Sequence, residues 1–185
     1  MFDKRKYELV RWGIQWLSET TEGGEHSYIR EAEEENRNRL ELEKGIMHQP
    51  KKAVYVVLRD REDGTEFGFC DTHLGHTPVG SRQEISDLIR FRQANILVNL
   101  IHEGKLFEKG MAFAIVGDMN SQPYMNPHNQ IDYIFLSKNC FKCHKFEAVT
   151  KPYYSELLKR GILPSDHYAL MAEVSFSPET RFVEK

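Results

Sequence analysis

The sequence contains no run of about 18 apolar residues, so it offers no transmembrane helix. It has only three cysteines, Cys70, Cys140 and Cys143. An odd number builds no disulfide framework and suits a reducing, cytoplasmic setting. Met1-Phe2-Asp3-Lys4-Arg5-Lys6 leads into no small-residue cleavage site, so a secretory signal is not expected. Excess positive charge is missing as well: 25 Lys and Arg stand against 28 Asp and Glu, a net charge of −3. That balance disfavours a non-specific nuclease held on its substrate by bulk charge. No internal repeat is evident.

What is present suits one globular domain over residues 1–185. Hydrophobic residues make up 40% and aromatics 11%, enough for a packed core and too many for a disordered chain. Cys140-Phe141-Lys142-Cys143-His144 has the letters of a haem-attachment motif and of half a zinc knuckle. No second ligand pair follows it, so the two cysteines are expected to be small, half-buried residues beside a turn.

Residues from Tyr7 to Ser18 alternate in part as a strand does, and Thr20-Thr21-Glu22-Gly23-Gly24 reads as a loop. Glu31 to Lys44 is rich in Glu and Arg and is expected to be a solvated helix or an insertion. Ala53 to Leu58 and Phe67 to Thr72 are β-rich runs joined through Asp63-Gly64, a pair suited to a tight hairpin. Residues 82–103 place Ile85, Leu88, Ile89, Ile96, Leu97, Leu100 and Ile101 at helical spacing, with Gly104 as a cap. Met111–Val116, Ile131–Leu136 and Ala169–Phe176 read as strands, and Tyr154–Lys159 as a short helix closed by Gly161. The class expected from this order is mixed-sheet α/β.

Titratable residues cluster where these apolar runs end. Asp71-Thr72-His73-Leu74-Gly75-His76 follows one strand and Gly117-Asp118-Met119-Asn120 another. Asp132 puts a charge into Ile131-Asp132-Tyr133-Ile134-Phe135, and Ser165-Asp166-His167 precedes the last strand. Taken singly, each is ordinary, since Asp and Asn are common turn formers. Four such groups at strand ends point to phosphate-ester hydrolysis. Hard oxygen donors without thiolates suit Mg²⁺ or Mn²⁺, which lowers the pKa of a bound water. Asp118 and Asn120, two apart in an extended segment, would point the same way. Asp132 would orient His167, and His73 would donate to the phosphoryl group.

These four motifs, in this order, resemble the signature of the endonuclease/exonuclease/phosphatase superfamily, which includes DNase I-like nucleases and inositol-polyphosphate phosphatases. Trp16-Leu17-Ser18-Glu19-Thr20, and Arg90 with Gln93-Ala94, also resemble its bacterial-type members. The resemblance implies an α/β/β/α sandwich with a mixed-sheet, DNase I-like core. It implies that His73 and Asn120 contact the phosphate and that Asp118 positions or deprotonates the attacking water. Asp132 would orient the catalytic His167, and Asp118 and Asp166 would be metal ligands.

The departures are equally specific. The family's N-terminal Asn and its principal metal-binding Glu have no match, since Glu8, Glu19 and Glu22 lie downstream of where that Glu should stand. Asn120 to Asp132 spans 12 positions, where the family usually places a helix and part of a sheet. Asp71 stands where many members have Asn, and Gly75 where many have Asp. The chain therefore reads as an incomplete copy of the fold, lacking its start and an internal segment. Mg²⁺ or Mn²⁺ is expected to be held weakly.

Two functions follow. One is a divalent-metal-dependent phosphoesterase; the other is an impaired remnant that binds or regulates through the same ligand class. A small phosphate ester, a lipid and a nucleic-acid end all remain open as substrate. The oligomeric state is not legible. Arg90, Arg92, Lys105 and Lys109 are expected to form a solvated basic face.

Overall fold

A computed structural model describes residues 2–17, 51–77, 83–121, 131–155, 160–162 and 165–177. The Thr20–Gly24 loop, the Glu31–Lys44 segment and most of the connector from Ser121 to Gln130 lie outside the described residues. So do Ser18, Glu19 and Glu22. The chain divides into two compact units, Met1–Ser137 and Lys138–Lys185.

The first unit is built on one five-stranded sheet. Its strands are β1 (Tyr7–Trp16), β2 (Lys52–Asp60), β3 (Glu66–Thr72), β4 (Ala112–Asp118) and β5 (Asp132–Leu136), adjacent in that order. All neighbours are antiparallel except β3 and β4, which run parallel. A parallel pair cannot be closed by a hairpin, so the chain crosses between them through α1 (Gln83–His102). β2 and β3 meet in the hairpin that Asp-Gly signals. Gly64 takes a φ of +76°, and its N–H donates to the Asp60 carbonyl at 2.9 Å.

The side-chain period of two sorts each strand into faces. Ala53, Val57, Cys70 and Leu74 turn inward and pack with Leu97 and Leu100 of α1. Leu106 and Phe107, just beyond the helix, join the cluster together with Leu17 and Met119. Phe107 stacks on Phe113 at 5.2 Å and lies over Gly68, where any Cβ would run into its ring. The helix ends as its sequence indicates: Gly104 has a φ of +72°, and the Lys105 N–H donates back to the Leu100 carbonyl at 2.9 Å. No helix among the described residues is long and apolar enough to cross a membrane.

The second unit pairs β6 (Phe141–Val149) with β9 (Ala169–Phe176), antiparallel, and β7 (Tyr153–Ser155) with β8 (Arg160–Ile162). Two expectations are corrected here. Tyr154 and Ser155 are strand, not the opening of a helix, and Gly161 lies opposite Tyr154 in the ladder rather than capping one. Aromatic residues suit a pleated pair, and this pairing overrides the helical reading. Cys143 is not beside a turn but exposed within β6, a strand the sequence reading misses. A bulge between Cys143 and Lys145 inserts an extra residue and breaks the alternation that would have announced it.

Candidate active site

One end of the five-stranded sheet carries three of the expected groups, His73, Asp118 and Asp132. Asp118 is the last residue of β4, and Asp132, the first of β5, is paired directly opposite it. The β3–β4 register, Asp71 opposite Val116, brings His73 to the level of Asp118 two steps on. The His73 Nε2 lies 3.6 Å from Asp118 Oδ2. The histidine is 57% exposed while the carboxylate is 13% exposed, so the acid is shielded and the imidazole faces outward. Asp118, Asp132 and His73 share the sheet face opposite α1.

That alignment depends on close approach of two backbones. Gly117 has a φ of +133°, and a Cβ there would overlap the Thr72 carbonyl oxygen. Beyond the sheet, the Leu74 N–H donates to the Asp118 carbonyl at 2.9 Å, locking the loop that follows β3 to the end of β4.

Asn120 departs from the extended geometry read from its spacing. Its φ is +48°, so the extended run stops at Asp118 and the two side chains do not project in parallel. The Asn120 N–H instead donates to Asp118 Oδ1 at 2.7 Å, an Asx turn, and its Nδ2 donates to the Leu74 carbonyl at 2.9 Å. Asn120 thus fixes the Asp118 carboxylate and the His73–Leu74 segment together.

The same loop is fastened from the helix side. Gln93, fully buried, accepts the Gly75 N–H at 2.8 Å through Oε1, and Arg90 donates to the Gly75 carbonyl at 2.9 Å. Arg90 also pairs with Asp87. Arg90 is 4% exposed, which corrects its placement on a solvated face. Two buried polar residues on an apolar helix face are costly unless bonded, and the Gly75 peptide bonds both.

Lys51 was missed. It immediately precedes β2 and accepts the Leu17 N–H at 2.9 Å. Burial pulls its ammonium below the ordinary lysine range, and the nearby Asp118 charge partly restores it. A Lys-Lys pair at a strand start is the only signal in the sequence. Tyr133, next to Asp132, donates its hydroxyl to the Ser121 carbonyl at 3.0 Å, and burial raises its pKa.

Asp166 and His167 belong to the second unit, in the bend that enters β9. The His167 N–H donates to Ser165 Oγ at 3.0 Å; Asp166 is exposed and His167 half-buried.

No family model and no curated protein sequence matches the chain. Solved structures do. The mannosyl-6-phosphatase of Bacteroides thetaiotaomicron superposes with a TM-score of 0.66 at 18% identity, over 95% of this chain and 69% of that one. An endonuclease/exonuclease/phosphatase family protein from the same organism gives 0.65 at 19%, over 96% and 67%. The fold is that of the endonuclease/exonuclease/phosphatase proteins. The human Nocturnin catalytic domain, solved with bound sulfate, follows at 0.58 and 18%, over 95% of this chain and 62% of that one. The mixed-sheet, DNase I-like class read from the sequence is therefore correct.

Proposed function

We propose that the chain is a divalent-metal-dependent phosphoesterase whose reaction centres on the end of β4. The observation that carries this reading is the shielded Asp118 carboxylate held 3.6 Å from an exposed His73, with Asp132 paired across from it. The donor set fits a hard cation. Carboxylate oxygens are at hand, and the one cysteine of the first unit, Cys70, is buried on the opposite face, its pKa pushed up to about 12 by burial. Asp118 would hold Mg²⁺ or Mn²⁺, with Asp166 joining it on the strength of its motif. When bound, such an ion lowers the pKa of a coordinated water and offsets phosphoryl charge.

The protein's own groups supply the rest. Asp118, oriented by the Asn120 N–H, positions the attacking water and takes its proton. His73 donates to a phosphoryl oxygen. Asn120 contacts the phosphate through the donor of its amide not given to Leu74. His167 is assigned as the catalytic histidine, and Asp132 as its orienting partner, on their motifs. Three free cysteines accord with a cytoplasmic setting. The two bacterial neighbours are named as a mannosyl-6-phosphatase and an endonuclease/exonuclease/phosphatase family protein, which supports a phosphate ester without choosing its type.

The test is hydrolysis of p-nitrophenyl phosphate and bis-p-nitrophenyl phosphate by the purified chain with Mg²⁺, Mn²⁺ or EDTA. Turnover is expected with metal and lost in EDTA, and Asp118→Asn should lower it by a factor of about 10² or more. A folded, monodisperse sample that neither turns over nor binds either ester would overturn the reading and favour an impaired remnant.

A further inference from the structure

The row of groups that ends in Asp118 and Asp132 does not stop at His73. Along the same end and face of the sheet, the register Ala53 opposite Thr72 makes Lys52 the neighbour of His73. Lys52 is in turn paired with Trp16 of β1. The Thr72 hydroxyl donates to the Lys52 carbonyl at 3.0 Å, which ties the two strands at this level. Read across five strands, the row runs Trp16, Lys52, His73, Asp118, Asp132. It is aromatic and cationic at one side and doubly acidic at the other.

The cationic side is built rather than incidental. The Lys52 ammonium sits 4.6 Å from the centre of the Trp16 ring, so an otherwise mobile side chain is held beside the row. Lys51 adds a second positive charge, half-buried and in the field of Asp118. Neither ammonium has a carboxylate within ion-pairing distance among the described residues. A cation held on an aromatic ring, with a second beside it in the field of Asp118 and both next to the proposed phosphate contact His73, is poised for an anion that arrives.

From this we infer that Lys51 and Lys52 make the site selective for phosphate monoesters over diesters. The inference rests on the phosphoesterase reading and deepens it. A monoester carries between one and two negative charges near neutral pH and three unesterified oxygens. Its three oxygens can be shared among His73, Lys52 and the cation that Asp118 would hold. A diester has one charge and two free oxygens, so it must leave one of those positions unmet, and its second arm competes with the ammonium groups. The shortage of positive charge elsewhere fits the same choice, since a long polyanion has no track to follow.

The experiment is an NMR titration of the protein with methyl phosphate and with dimethyl phosphate, in Mg²⁺. The panel is wild type, Lys51→Met, Lys52→Met, Lys52→Arg and His73→Ala. Wild type should bind methyl phosphate about tenfold or more tightly than dimethyl phosphate, and each Met variant should lose about tenfold on methyl phosphate. Dimethyl phosphate affinity should stay within about twofold, and Lys52→Arg should keep most of the preference. If wild type prefers the diester, or the lysine variants keep the wild-type ratio while His73→Ala loses binding, the inference is refuted and the phosphoesterase reading stands. If wild type binds neither probe, the inference is refuted, and the phosphoesterase reading falls with it when the nitrophenyl esters are not turned over either.

Discussion

Replacing Gly117 by alanine adds one methyl group at the point where β3 and β4 approach to align the site. At a φ of +133° an L-residue is strained, at a cost of about 1–3 kcal/mol. The new Cβ would also overlap the Thr72 carbonyl oxygen, lie 2.9 Å from its carbon and 3.2 Å from Asp71 Oδ1. Backbone cannot rotate out of the way, so β4 must move off β3, and overpacking of this kind costs a further 1–3 kcal/mol or so. The total, about 2–6 kcal/mol, is a large share of the 5–15 kcal/mol typical of a domain. Relief by separating the strands would also break the Leu74 N–H bond to Asp118 and draw His73 away from the carboxylate. Gly64→Ala is the control, since Gly64 has a φ of +76° with nothing within 4 Å and should lose only about 1–2 kcal/mol. Urea unfolding followed by circular dichroism, alongside methyl phosphate titration, measures both consequences. A Gly117→Ala protein with the stability of Gly64→Ala and undiminished phosphate binding would show that the close approach does not matter.

Two further outcomes are expected. Burial pushes the Cys70 thiol up to about 12 from an ordinary 9.0, with Asp71 adding to the shift. A raised folded value means the stabilisation is full below about pH 9 and is lost as pH rises toward 12, on the order of 4 kcal/mol in all. Urea midpoints of wild type should therefore fall between about pH 8 and pH 10.5 more steeply than those of Cys70→Ala, and parallel slopes would contradict this. Gln93→Leu removes the acceptor of the Gly75 N–H and leaves a buried donor unpaired, costing about 1–3 kcal/mol. Faster amide exchange at Gly75 than at the Leu97 core position is the local signature to look for.

The strands that carry the site were legible because each is an apolar run closed by a polar group, and the runs ending in Thr72, Asp118 and Leu136 were read within two residues. The Asp-Gly hairpin and the Gly104 helix end follow from residues whose φ preferences admit few alternatives. Legibility failed where tertiary pairing overrode local pattern. Tyr154 joins a two-stranded ladder, and the bulge in β6 hides its alternation. Arg90 failed for a different reason. A charge on a helix is expected to face water, and the Gly75 carbonyl, fifteen residues back, joins Asp87 in explaining why this one does not.

Lys51 and Lys52 show the deeper limit. His73, Asp118 and Asp132 can be picked out individually because each interrupts or ends an apolar run. Nothing in the sequence says that Lys52 is their neighbour, since that follows from two registers taken in series, β2 on β3 and β3 on β4. Each register is fixed by burial. Ala53, Val57, Cys70 and Leu74 must all face α1, and a one-residue slip of either strand would send its own members of that set outward. The inward face thus sets which residues share the outward row, so the packing of the core decides, across the thickness of the sheet, that Lys52 rather than Ala53 stands beside His73.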